Sequence, residues 1–121
     1  MTVIVGGGRF LADREMVYSA LDALHAETPI ILLVHGGCRG ADLLADAWAA
    51  ERGIERVAYP ISDAEWKERG KAAGPMRNGH MLRDHPNAFV VAFPGGRGTQ
   101  NLVKQAHDMN MHTIEVSGVH S

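Results

Sequence analysis

With a single cysteine, Cys38, the chain has no internal disulfide, which suits a reducing compartment and makes the cytoplasm the expected location. An excess of one charge is missing as well. Twelve Lys and Arg against 14 Asp and Glu leave a formal net charge of −2, which argues against a nucleic-acid binder working through a large basic surface. A local basic pocket for a small anion stays open. Aromatic residues are only 6% of the chain, which also argues against stacking along a single strand of DNA. The longest wholly apolar run, Ala88 to Pro94, falls far short of the about 20 residues of a membrane helix. Met1-Thr2-Val3-Ile4-Val5-Gly6 has no basic segment leading into a cleavable apolar one, so no signal peptide is expected. Repeats, linkers and low-complexity segments are absent, and the 121 residues fit one domain, 1–121. Metal spacing is lacking too: His80 and His85 are five apart, not the four that aligns ligands on a helix face. Cys38, His35 and Asp42 make at best a weak cluster, so neither a metal nor a cofactor is expected. Ser19, Ser62 and Ser117 have no nucleophile-elbow context.

What the chain does have is apolar strands that end in glycine. Ala88-Phe89-Val90-Val91-Ala92-Phe93 is an unbroken apolar run, the mark of a strand buried on both faces. It stops at Pro94, passes Gly95, Gly96, Arg97 and Gly98, and enters an amphipathic segment at Thr99. Glycines there let the backbone turn tightly and let a ligand approach the main chain. A helix starting near Thr99 aims unpaired N–H groups and its dipole above the strand, an arrangement that suits phosphate. Thr2 to Val5 ends likewise in Gly6-Gly7-Gly8-Arg9, and Ile30 to Val34 in His35-Gly36-Gly37-Cys38-Arg39-Gly40.

Between the strands lie helical patterns. Met16, Val17, Ala20, Leu21 and Leu24 recur at helical spacing from Asp13 to about His25, and Thr28-Pro29 ends the run. Ala41 to Arg52 is a helix stopped by Gly53. Arg56 to Tyr59 is a third strand, followed by a helix capped by Ser62 or Asp63, with Glu65 completing a capping box. Gly70 to Pro75 breaks that helix, and Met76 to Arg83 forms a short one. Gly98 to Met109 and His112 to Val116 supply the last helix and strand, and Ser117 to Ser121 is expected to fray. Alternation of this kind implies an α/β three-layer sandwich: a five-stranded parallel sheet, ordered 3-2-1-4-5, with helices on both faces. Ligands bind at the switch point between strands one and four, where all three glycine loops meet.

Neither a Walker loop nor a G-x-G-x-x-G dinucleotide fingerprint is present, so the case rests on the loops jointly. Arg9, Arg39 and Arg97 lie in or beside them, and Arg77 follows Gly74-Pro75-Met76. Arginines converging above a sheet edge make an anion pocket, although any one of them, like Lys71, could equally point into solvent. His35 could hold a ribose or act as a base, and Asp42 could reach the pocket or simply favour a helix N-terminus. Asn78 and Asn101 could bond ribose or base, or be merely solvated. Trp66 could stack on a base or lie in the core.

Three runs together resemble a known family. They are His35-Gly36-Gly37-Cys38-Arg39-Gly40-Ala41-Asp42; Trp66 with Gly70-Lys71-Ala72-Ala73-Gly74-Pro75-Met76-Arg77-Asn78 and Met81; and Phe93-Pro94-Gly95-Gly96-Arg97-Gly98-Thr99. The chain from Val3 to Val116 is similar to the SLOG superfamily, and more narrowly to its YspA/cpYpsA-related (YAcAr) family. The resemblance implies a Rossmann-like fold and a pocket for nucleotides or nucleotide-derived ligands. The glycine loops with their arginines, taken together with the resemblance, put Gly7, Gly8, Arg9, Gly36, Gly37, Arg39, Gly40, Arg77, Asn78 and the run Pro94, Gly95, Gly96, Arg97, Gly98 and Thr99 around the ligand. Related Lonely-guy phosphoribohydrolases carry P-G-G-x-G-T-x-x-E, whose glutamate and an upstream arginine are associated with N-glycosidic cleavage, and their dimers suggest a homodimer here. Pro94, Gly95, Gly96, Gly98 and Thr99 match, and Arg77 resembles the arginine. The glutamate position is Leu102, which cannot act as a general acid or stabilise an oxocarbenium-like centre.

The expected function is therefore binding, for sensing or processing, of a nucleotide-like ligand at the C-terminal edge of the sheet. A nucleoside 5′-monophosphate phosphoribohydrolase with a non-standard catalytic group (Arg77, Asp42 or His35) is the alternative. Single-stranded DNA binding, by analogy with the related DNA-processing protein A, comes third.

Overall fold

The computed structural model describes residues 1–117, so of the tail expected to fray all but Ser117 lies outside the described residues. Five parallel strands, β1 (Thr2–Gly6), β2 (Leu32–His35), β3 (Glu55–Ala58), β4 (Phe89–Ala92) and β5 (Thr113–Glu115), form one sheet in the order β3-β2-β1-β4-β5. The expected topology therefore holds. The central register pairs Val3 with Leu33 and with Phe89, and Val5 with His35 and Val91.

Side chains alternate across the strands, so the apolar runs split into two cores. Val3, Val5, Leu33, Val91 and Phe93 face one way, onto α1 (Arg14–Glu27) and α2 (Ala41–Glu51) through Val17, Leu21, Ala45 and Trp48. Ile4, Val34 and Val90 face the other way, onto α4 (Ala73–Asp84) and α5 (Arg97–Asp108) through Met81, Leu82, Leu102 and Ala106. Burial of each such side chain contributes about 1.5–3 kcal/mol. Trp48 is fully buried and still satisfies its indole N–H, which donates to Asp22 Oδ1 at 2.8 Å.

Local signals act much as expected at the helix ends. Asp13 caps α1 by accepting from the Met16 N–H at 3.0 Å. Ser62, not Asp63, caps α3 (Asp63–Arg69), with the reciprocal Glu65 bond of a capping box. Most element boundaries shift by one or two residues, and one helix start shifts by three. After α3 the chain makes a 3-10 turn over Gly70–Ala72, and α4 begins at Ala73, not at Met76. Pro75 therefore stands in the first turn of α4, where its missing N–H has no helical acceptor to lose.

Candidate ligand-binding site

β1, β2 and β4 end side by side, and Gly8 ties their loops together. Its N–H donates to the Pro94 carbonyl at 2.8 Å, while its carbonyl accepts from the Ala41 N–H at 3.1 Å and the Leu11 N–H at 3.2 Å. Close packing demands several of the glycines. A Cβ on Gly7 would lie 2.5 Å from Ala41 Cβ and 3.0 Å from Phe93 Cβ. Gly40 has φ +78°, and a Cβ there would run into the Gly8 carbonyl. One on Gly95 would overlap Thr99 Oγ1 and come within 2.7 Å of the Gly8 nitrogen.

Gly96 and Gly98 are different. Neither has positive φ, and an added Cβ would meet nothing within 4 Å. Packing against the rest of the fold does not call for glycine at either position. They open α5, with Gly96 as N-cap and Thr99 as third helical residue, and no side chain caps this helix. Its first-turn N–H groups lie at the edge of a cleft of about 500 Å³.

Arg77, Asn78 and Asp42 furnish the cleft's polar wall. Arg77 is held at four points: Nη1 donates to the Gly36 carbonyl at 2.7 Å, the Tyr59 carbonyl at 3.4 Å and Cys38 Sγ at 3.8 Å, and Nε donates to Asn78 Oδ1 at 3.0 Å. Nη2 has no protein acceptor among the described residues. Gly36 is glycine because a Cβ would overlap this guanidinium. Asn78, buried, donates through Nδ2 to the Gly98 carbonyl at 3.1 Å and to Asn101 Oδ1 at 3.2 Å, which fastens the start of α5 to α4. Asn101 in turn accepts from Gln105 Nε2 at 2.7 Å. Both asparagines are thus engaged in building the wall.

Asp42 is 5% exposed. Its Oδ2 accepts from the Gly36 N–H at 3.0 Å and the Cys38 N–H at 3.2 Å, which moulds the loop after β2. Oδ1 has no protein donor among the described residues, yet it is not a sealed, unsatisfied atom. Burial pushes the Asp42 carboxyl above the usual carboxylate range, opposed by the Cys38 N–H, His35 and Arg77. Leu102 lies against Gly6, 2.5 Å from where a Cβ on Gly6 would sit, and closes the apolar floor. At the mouth stand Arg9 and Arg97, exposed and without an ion-pair partner among the described residues.

Other expected site residues lie elsewhere. His35 does not line the cleft: its Nδ1 accepts from the Gly37 N–H at 2.9 Å, so Nε2 carries the proton and faces Asp46 Oδ1 at 2.9 Å. Both ring nitrogens are used, with Asp46 held also by Arg56. Gly40 lines neither cavity; its backbone conformation is what the loop needs. Gly37 and Arg39 belong to a second recess of about 200 Å³, next to the cleft, together with Pro60, Ile61 and Trp66. Trp66 is not in the core; it is 41% exposed. Phe10 and Leu11 line the main cleft without any expectation from the sequence, and Met81, which the sequence offers only as part of a family run, lines it too. Among the described residues no group of three His, Cys, Asp or Glu side chains is arranged to hold a metal ion, and no helix is long and apolar enough to cross a membrane.

Residues 1–68, which carry β1 through α3 and two of the three glycine loops, match the family described as YspA, cpYpsA-related SLOG. The chain is also similar to the Gene 61 protein of Mycobacterium phage D29, at 37% identity over 118 residues, covering 93% of this chain and 93% of that protein. The family match over more than half of the chain, on top of this sheet order and its clustered glycine loops, places the protein in the YspA, cpYpsA-related SLOG family.

Proposed function

We propose that the protein binds a nucleotide or nucleotide-derived ligand, for sensing or processing, with its phosphate over the first turn of α5. The observation that carries this reading is the pair Gly96 and Gly98. Packing does not call for glycine there, and the open space leaves room for the close approach of a ligand to uncapped N–H groups. Arg77 supplies the second element, a guanidinium anchored through Nε and Nη1 whose Nη2 is available to a phosphate oxygen. Arg9 and Arg97 add positive charge at the entrance, which raises the encounter rate for an anion even though the net charge of the chain is −2.

Calorimetry against nucleoside mono- and diphosphates tests the proposal. Gly96→Val and Arg77→Ala are expected to weaken binding by about tenfold or more, the scale of one lost charge-assisted hydrogen bond. Gly98→Ala should weaken it while leaving the fold equally or more stable, because alanine favours a helix over glycine. The reading fails if no nucleotide binds, or if binding ignores all three substitutions.

A second reading, hydrolysis of the N-glycosidic bond of such a nucleotide, is favoured by Asp42. A carboxyl whose proton affinity is raised by burial, on the wall of the same cleft, has the property of a general acid. Leu102 excludes the route that uses a glutamate at that position. Release of free base and ribose 5-phosphate, abolished in Asp42→Asn, would establish the reaction; its absence across the common bases leaves binding alone.

A further inference from the structure

The second recess adjoins the main cleft and shares Arg9, Gly36 and Cys38 with it. Its far wall is Trp66, backed by Pro60 and Ile61. This tryptophan stands apart from the chain's other one. Trp48 is fully buried, whereas Trp66 is 41% exposed and α3, its helix, buries none of its residues. No aromatic or guanidinium group of the described residues stacks on the Trp66 ring. Arg39, which also lines the recess, stands 5.7 Å over the ring of Phe10, which lines the main cleft, so this pair bridges the rims of the two cavities. Arg39 makes no ion pair among the described residues.

Strand order sets the distance between the two cavities. The loop that leads from β4 into α5 lies against Gly7 and Gly8 after β1, and the recess is lined mainly from the segments that follow β2 and β3. These points are separated by two strand spacings, roughly 10 Å. That is longer than the phosphate-to-base reach of a 5′-monophosphate and suits the terminal phosphate of a nucleoside diphosphate. Between them run Cys38 and the arginines, with no carboxylate other than Asp42 lining either cavity.

We propose that the ligand is a nucleoside diphosphate, lying across the sheet edge with its diphosphate in the main cleft and its base stacked on Trp66. This rests on the phosphate reading of the main cleft given above. A free indole face is a general base platform, since every base presents a π-face. The apolar Pro60 and Ile61 complete a slot for a planar ring, and Arg39 is placed to neutralise charge along the ligand.

The test compares ADP, AMP and inorganic pyrophosphate, by calorimetry and tryptophan fluorescence, on the wild type, Trp66→Ala and Trp66→Phe. In the wild type ADP is expected to quench the fluorescence and to bind about tenfold more tightly than pyrophosphate, the lower part of the stacking range; AMP should bind more weakly than ADP. Trp66→Ala should bring ADP down to the affinity of pyrophosphate and leave pyrophosphate within about twofold of wild type. Trp66→Phe should restore most of the ADP affinity without the quenching, the emission of Trp48 being unaffected. The proposal is overturned if Trp66→Ala leaves ADP binding intact, weakens ADP and pyrophosphate equally, or if AMP matches ADP. Binding of pyrophosphate with any of these results keeps the phosphate site: the two Trp66→Ala results then remove the base platform, and AMP matching ADP removes the diphosphate, while failure of pyrophosphate and ADP alike removes both sites.

Discussion

Replacing Asp42 by alanine and by asparagine separates its two roles. In Asp42→Ala the N–H groups of Gly36 and Cys38, now held at 3.0 and 3.2 Å, lose their acceptor. A buried donor left unpaired costs about 1–3 kcal/mol. Gly36 is buried, whereas Cys38 is half-buried beside the cleft, so water can take over part of its bond. The sum is about 2–4 kcal/mol, which lowers the Tm of a domain of this size by on the order of 10 °C. Asp42→Asn keeps an acceptor oxygen and carries no charge. Burial, the strongest influence on the Asp42 carboxyl, raises its proton affinity in the folded state, so the ionised form is the one that the fold disfavours. A raised value means that the group's stabilising contribution is complete below the unfolded carboxylate pKa and is lost as pH rises through the folded one. At neutral pH the asparagine variant is therefore expected to be at least as stable as the wild type, and any gap between them should close on acidification. Thermal unfolding followed by circular dichroism from pH 7 down to pH 4 reads both effects. Asparagine as damaging as alanine at pH 7, or a gap that widens towards acid, would refute the reasoning.

Gly36→Ala sets a methyl against the Arg77 guanidinium, 2.6 Å from Cζ. Because the obstacle is the end of a flexible side chain, the variant should lose only about 1 kcal/mol of stability, one net hydrogen bond, while pyrophosphate binding falls about tenfold; unchanged calorimetric binding would remove Arg77 from the site. Leu102→Ala opens a cavity beneath Gly6, where Leu102 is 2% exposed. It should cost about 2–5 kcal/mol in urea unfolding, and a loss below about 1 kcal/mol would show that the cleft floor can collapse around the missing side chain.

Much of the fold was legible because it depends on short-range chemistry. Apolar runs such as Ala88–Phe93, short and closed by Pro94 and glycines, fit doubly buried strands, and their alternation with helical patterns leaves few parallel topologies, of which 3-2-1-4-5 is observed. The capping box at Ser62 and Glu65 was readable for the same reason, since donor and acceptor lie within one turn. Pro75 reads as a helix breaker because a proline in a first turn and one after a last turn look alike locally; the burial of Ala73, with Met81 and Leu82 in the core, goes with a helix that begins before the proline.

The site divides along the same line. By itself the sequence determined that three glycine loops gather at one sheet edge, that arginines accompany them, and that a leucine, Leu102, stands three residues after Thr99. Only the tertiary structure decided which glycines serve the fold and which face open space, because that depends on neighbours from other strands: Gly8 for Gly40, Arg77 for Gly36, none for Gly96 and Gly98. It also turned His35 inward onto Asp46, placed Arg39 in a second recess, and left Trp66 facing solvent. Those outcomes are contests between long-range partners for one side chain, and no local pattern records who wins them.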